Sequence, residues 1–242
     1  MRKTFAVGLA ALAVSAAGCT SDHPGGPGPT VDRDFQVGQF DKVELAGAYD
    51  ATIRTGPAPS VHARGGQNVL DRLVVEVDNG ELKIHPKQHL GFHWGGWGKS
   101  GHVQLTITVP ELRAATLAGS GGITIDKIQG DNFEGTVAGS GGLTVGSFNV
   151  QTLKLSIAGS GDAKAGAGSA KSAEYEIAGS GGVDAAGVQS QQLKVSIAGS
   201  GSIKAHSSGT ADVSIMGSGD VDVAGGAKCN ITKAGSGSVR CS

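Results

Sequence analysis

The sequence predicts an all-β chain folded as a parallel β-helix, with coils of about 20 residues, Gly-Ser-Gly corners and irregular N-terminal coils. Three observations predict it. First, Ala-Gly-Ser-Gly or a near copy recurs with serines at Ser120, Ser140, Ser160, Ser180, Ser200, Ser218 and Ser236. A fixed period of this size means stacked units, each contacting mainly its neighbours. Second, apolar residues alternate with polar ones around the motif. Leu117, Val137, Ile157, Ile177, Ile197 and Ile215 stand one place before its alanine, whose place Met216 takes in the sixth copy. Leu155, Tyr175, Val195, Val213 and Ile231 stand three places before it, and Ile123, Leu143, Val183, Ile203 and Val221 five places after. Period two is the signature of a strand with one buried face.

The third observation is a pair of charge ladders. Glu134, Lys154, Glu174, Lys194 and Asp212 alternate in sign from copy to copy, and so do Lys164, Asp184, Lys204, Asp222 and Arg240. Adjacent strands lie about 4.8 Å apart, so in-register stacking pairs opposite charges and a slip of one coil would set like charges together. Both ladders survive a shortening of the spacing from 20 to 18 residues after Ser200, which places the deletion in a loop after the second strand of the coil. A right-handed crossover is the rule for parallel strands, so a right-handed helix is favoured.

The elements follow in order. Arg2 and Lys3 precede a short apolar run from Phe5 to Ala17, the pattern of a signal peptide over residues 1–18. Ala16-Ala17-Gly18-Cys19 resembles the lipobox of bacterial lipoproteins, which implies cleavage before Cys19 and lipidation of that cysteine. Ala16 stands where Leu is usual, which leaves a plain secretory signal as the alternative. Thr20 in place of Asp after the cysteine directs the expectation to the outer membrane. Residues 19–33 therefore read as a lipidated cysteine and a Pro/Gly-rich tether, and residues 34–242 as a single β-helix domain. Within it, strands are expected at Val43–Leu45, Asp50–Ile53, Leu73–Val77, Glu81–Ile84 and Val103–Val109, with a tight hairpin at Asn79-Gly80. Cys229 and Cys241 remain for a disulfide across inward positions of the last coil, the alternative being two free buried thiols.

The order Phe40-Asp41-Lys42-Val43-Glu44-Leu45, Asn68-Val69-Leu70, Asn79-Gly80-Glu81-Leu82-Lys83-Ile84, Ile107-Thr108-Val109-Pro110-Glu111-Leu112 and Ala118-Gly119-Ser120-Gly121 resembles the putative auto-transporter adhesin head GIN domain family. The resemblance spans nearly all of the mature chain. It implies an envelope-located β-helix-like domain and brings no catalytic residues and no cofactor.

One stretch stands out chemically. His85 to His102 holds four of the chain's seven histidines and both tryptophans, Trp94 and Trp97. Phe92, Trp94 and Trp97 form the candidate binding loop, because aromatic side chains dominate interface energetics. His85, His89, His93 and His102 could gather around zinc or copper, but Pro86 and the glycines preclude a helix that would align them. A third reading has the loop covering apolar core at the end of the helix. The hydroxyl row Thr116, Thr136, Ser156, Ser196, Ser214 and Thr232 is interrupted by Glu176. A net charge of −1 gives no global attraction for nucleic acid or for anionic lipid.

The expectation is thus a non-catalytic, lipid-anchored envelope module for adhesion or interaction, with a glycan or protein ligand, no nucleic acid, no metal and no cofactor. The alternatives are a β-helix enzyme acting on polysaccharide and a periplasmic metal binder using the His85–His102 loop. Oligomeric state is left open.

Overall fold

The computed structural model describes residues 26–87 and 102–242. The N-terminal part contains β1 (Thr30–Phe35), β2 (Lys42–Gly47), β3 (Asp50–Thr55), β4 (Ser60–Gly66), α1 (Gln67–Leu70), β5 (Leu73–Asp78), β6 (Glu81–Pro86) and β7 (Gln104–Val109). The repeats form β8 (Ala114–Gly119), β9 (Gly122–Gly139), β10 (Gly142–Gly159), β11 (Asp162–Gly179), β12 (Gly182–Gly199), β13 (Ser202–Gly217), β14 (Asp220–Ala224), β15 (Lys228–Ala234) and β16 (Ser238–Cys241). All sixteen strands join one hydrogen-bonded sheet system that winds into a solenoid.

The repeat period is the coil. β10 pairs in parallel with β9 and β11 in the register of the sequence repeat, with Leu143 between Ile123 and Ala163 and Ile157 between Val137 and Ile177. Both charge ladders lie in register: Lys154 between Glu134 and Glu174, Lys194 between Glu174 and Asp212, Asp184 between Lys164 and Lys204. The coil's second bend departs from expectation. A loop was expected after the second strand, yet pairing runs through that bend, with Ser147 opposite Ala167 and Phe148 opposite Gly168. The backbone of β10 can bend there and keep most of its partners because it pairs with the coils on either side. Only the Ser-Gly pair at the corner interrupts each 18-residue strand. The deletion falls where expected, between Ala185 and Gln192, where the register shifts against Ala205 and Thr210.

The corner glycines are fixed by geometry. Gly139 has φ 131°, a conformation that L residues avoid, and a Cβ on it would strike the Gly119 carbonyl of the preceding coil. The serine amide that follows donates to the same carbonyl, as Ser160 N–H does to Gly139 O at 2.9 Å. The inward columns build one continuous core from Phe40 to Val223, and Phe133 packs against Phe148 with ring centroids 5.8 Å apart.

The N-terminal coils are stacked out of chain order. β2 lies between β8 and β6, and β3 between β9 and β7, all in parallel. β6 and β7 therefore occupy the coil outside β2 and β3. Antiparallel strands finish this end: β5 on β6, β4 on β7 and β1 on β4. The β5–β6 hairpin turns at Asn79 (φ 50°) and Gly80 (φ 79°) as expected. β1 corrects the expected tether, since residues 30–33 are paired strand rather than spacer.

At the other end β15 pairs with β13, and β16 with β14. Cys229 and Cys241 form the expected disulfide, with Cα atoms 6.7 Å apart. Their burial was overestimated, as was that of Ile231, which is 50% exposed. These side chains stand at inward positions of the last coil, and among the described residues no further coil covers them.

Candidate interaction surface

The strands that flank the expected contact loop are β6 and β7. β2 and β3 are joined by Gly47-Ala48-Tyr49, and Gly47 lies opposite Gly119 of the next coil. Ser120 N–H donates to Gly47 O, and Gly122 N–H to Tyr49 O. Ala46-Gly47-Ala48-Tyr49 is thus a further copy of the corner, which sequence reasoning missed because alanine and tyrosine replace Ser and the second Gly. The available signal was downstream: Asp50-Ala51-Thr52-Ile53 has the same alternation as Gly122-Ile123-Thr124-Ile125. β6 and β7 flank β2 and β3, so residues 87–103 connect the same two positions in the outer coil. Phe92, Trp94, Trp97, His89 and His93 lie outside the described residues, as does Cys19.

The two described histidines of the loop face different carboxylates. His85 Nε2 lies 3.7 Å from Glu76 Oε1 across the β5–β6 hairpin, while His102 Nδ1 lies 3.8 Å from Asp50 Oδ2. They do not converge, and no group of three metal-ligating side chains occurs among the described residues. Beside the end of β6 runs a groove of about 810 Å³, lined by Ala46, Ala48, Ile84, Pro86, Ser120 and Ser140. Its rim carries Glu44, Lys83 and His85. The Lys83 amine is raised above its ordinary value by its hydrogen bond to Asp78 and remains a cation.

The side of the coil carries the charge ladder. Lys194 Nζ donates to Glu174 Oε1 at 2.6 Å, and Lys154 Nζ lies 3.1 Å from Glu176 and 3.9 Å from Glu174. Glu176, which interrupts the hydroxyl row, also accepts from Ser156 Oγ at 3.3 Å. The Lys194 hydrogen bond holds the Glu174 carboxyl below its usual range. A carboxyl kept ionised by lysines is poorly suited to proton donation, so Glu174 suits a structural ion pair better than the role of a general acid.

The family model described as "Putative auto-transporter adhesin, head GIN domain" matches residues 39–227. The chain belongs to this family. The head GIN match takes in the corner at Gly47, the loop between His85 and His102, and the coils through β14. It leaves out β1 and the disulfide-closed last coil.

Solved structures share the fold. One described as a "putative adhesin" from Bacteroides fragilis superposes with a TM-score of 0.78 at 21% identity, covering 88% of this chain and 97% of that one. A "putative lipid binding protein" from Parabacteroides distasonis gives 0.71 at 24% identity, with 89% and 97% covered. A "putative adhesin" from Parabacteroides merdae gives 0.69 at 18% identity, with 90% and 98% covered. At these identities the likeness is one of fold. No curated protein matches the chain significantly. No helix among the described residues is long and apolar enough to cross a membrane.

Proposed function

We propose that this head GIN protein is a non-catalytic adhesion or interaction module of the cell envelope, held to the membrane by lipid on Cys19. Its contact surface is the outer-coil segment carrying Phe92, Trp94 and Trp97. The observation that carries the reading is the place of that segment. Every other corner is a Gly-Ser-Gly or its short equivalent, whereas the outer coil inserts the chain's only two tryptophans between β6 and β7. Aromatic anchors raised from a rigid scaffold are the composition of binding hot spots. Lys154, Glu174, Glu176 and Lys194 pair from coil to coil along one side of the solenoid, which suits a scaffold better than a catalytic face.

The test has two parts. Protease treatment of intact and lysed cells locates the domain; digestion in intact cells fits adhesion to outside partners, and protection until lysis rules such partners out. Binding to immobilised envelope glycans and proteins is then compared for the parent and Trp94→Ala/Trp97→Ala. Loss of about 2 kcal/mol or more of affinity is expected for a hot-spot pair. Unchanged binding, or turnover of a uronate polymer, would overturn the reading.

A further inference from the structure

Both ends of the solenoid present unpaired strand edges among the described residues, and the residues that end the columns are complementary, although the face from β1 to β16 stacks eleven strands and the face from β5 to β15 ten. On one face the C-terminal edge is β16 and the N-terminal edge is β1; on the other the edges are β15 and β5. Following the register through the whole stack shows which residues end each outward column. The column that holds Lys204, Asp222 and Arg240 continues at the other end through Thr52, Thr106 and His62 to Asp34. The adjacent column runs from Ser238 and Asp220 to Arg64 and Asp32. On the second face, Asn230 and Asp212 end one side of a column that finishes at Glu81 and Asp78. Thr232 and Glu76 end the fourth.

Each column therefore ends in a carboxylate at the N-terminal edge and a hydrogen-bond donor at the C-terminal edge. We propose that a second copy of this chain docks head to tail on the first, bent toward the ten-strand face by about one strand spacing (~4.8 Å), its β1 and β5 edges continuing the columns of β16 and β15. Asp34 then meets Arg240, Asp32 meets Ser238, Asp78 meets Asn230 and Glu76 meets Thr232. This repeats contacts already made inside the stack, where Arg240 lies 3.7 Å from Asp222 and Asn230 Nδ2 donates to Asp212 Oδ1 at 2.8 Å. Arg240 and Asp34 are 78% and 79% exposed, so both can be reached.

Charge and apolar surface favour the same occupant. β15 and β16 carry Lys228, Lys233 and Arg240 and no acid, while β5 carries Glu76 and Asp78 and no base. Two C-terminal ends would repel, but a C-terminal end attracts an N-terminal one. Apolar residues packed against the core yet only partly buried include Val31, Phe35, Val75 and Val77 at one end and Ala227, Cys229 and Val239 at the other. Joining the ends covers both groups.

Each end also has an inward cation, Arg33 on β1 and Lys233 on β15, of the kind that discourages uncontrolled pairing. Both are satisfied within their own end. Arg33 donates to Leu70 O at 2.9 Å and to Asp71, and Lys233 donates to Gly237 O at 2.7 Å. The joint is therefore reversible, and because it is heterologous it extends into rows rather than closing as a dimer.

The test is sedimentation velocity on the exported chain carrying Cys19→Ala, so that no acyl chain contributes. The parent should assemble beyond a dimer as concentration rises and dissociate at about 1 M salt, where the screening length is about 3 Å. Arg240→Glu/Asn230→Asp and Asp34→Lys/Asp78→Lys should each raise the dissociation constant by about tenfold or more. Mixing the two variants should restore assembly, which also reports that both are folded. Amide exchange on the parent should show β1, β5, β15 and β16 protected as concentration rises. A parent that stays monomeric at low salt, or assembly indifferent to both charge reversals, would overturn the proposal.

Discussion

Gly139 and Ser140 are neighbours with opposite roles. The glycine holds a positive φ and leaves no room for a side chain against the Gly119 carbonyl, while the serine side chain points to solvent. Gly139→Ala should therefore cost about 2 kcal/mol or more, and Ser140→Ala should stay within about 0.5 kcal/mol, both measured by urea denaturation. The interior shows a second residue-scale rule, compensation of volume within a coil. β11 turns Ala163, Ala165, Ala170 and Ala173 inward, and its largest inward side chain is Tyr175, 1% exposed, followed by Ile177. Burial pushes its hydroxyl pKa upward, so it stays un-ionised at any working pH. Tyr175→Ala should cost about 3–5 kcal/mol, as other buried aromatic truncations do. The glycine column could be read from the sequence because geometry admits nothing else there. The Tyr49 corner could not, because β6 and β7, the strands outside it, are joined by residues 87–103 and not by a Gly-Ser-Gly.

The end strands β1, β15 and β16 are held in part by particular side-chain fastenings. The disulfide closes 12 residues of the last coil, and β15 and β16 otherwise bond to one neighbour each. Reducing it should cost about 2–3 kcal/mol by the chain-entropy account, with faster amide exchange in β15 and β16 and none in β9 to β12. β1 is fastened by His62 of β4, whose Nδ1 lies 2.8 Å from Asp34 and whose Nε2 lies 3.3 Å from Asp32. The hydrogen bond to Asp34 is the main cause raising the His62 pKa. For a basic group raised on folding, the stabilisation is complete below the unfolded value, about 6.5 for histidine, and is lost as pH climbs through the folded one. β1 amides should thus lose protection across that window, after correction for intrinsic exchange, and Asp34→Asn should weaken the effect. Glu174 has the opposite sign: its lowered pKa stabilises above about 4.3 and is lost as pH falls through the folded value. β1 was hidden in the sequence because Thr30-Val31-Asp32-Arg33 has little apolar content and follows a Pro/Gly-rich run. Its strand exists through pairing with β4, a tertiary contact that local pattern does not encode.

For the whole molecule, the sign of the ladders gives the stack a period of two coils, although its backbone has a period of one. Removing residues 159–178 joins Ala158 to Gly179 and deletes one coil, which sets Lys154 beside Lys194. Removing residues 159–198 deletes two coils and sets Lys154 beside Asp212. Both junctions are sterically equivalent, since each replaces one Ala-Gly step with another in the same register. They differ in electrostatics by a few tenths of a kcal/mol per rung, with the sign reversed. Added salt should therefore raise the denaturation midpoint of the one-coil deletion relative to the two-coil deletion, because it screens a repulsion in one and an attraction in the other. Introducing Lys194→Glu and Asp212→Lys together into the one-coil deletion restores alternation from Glu134 onward and should abolish the difference. Equal salt dependence in all three proteins would mean that the ladders do not govern register and that the inward columns alone hold the coils in place.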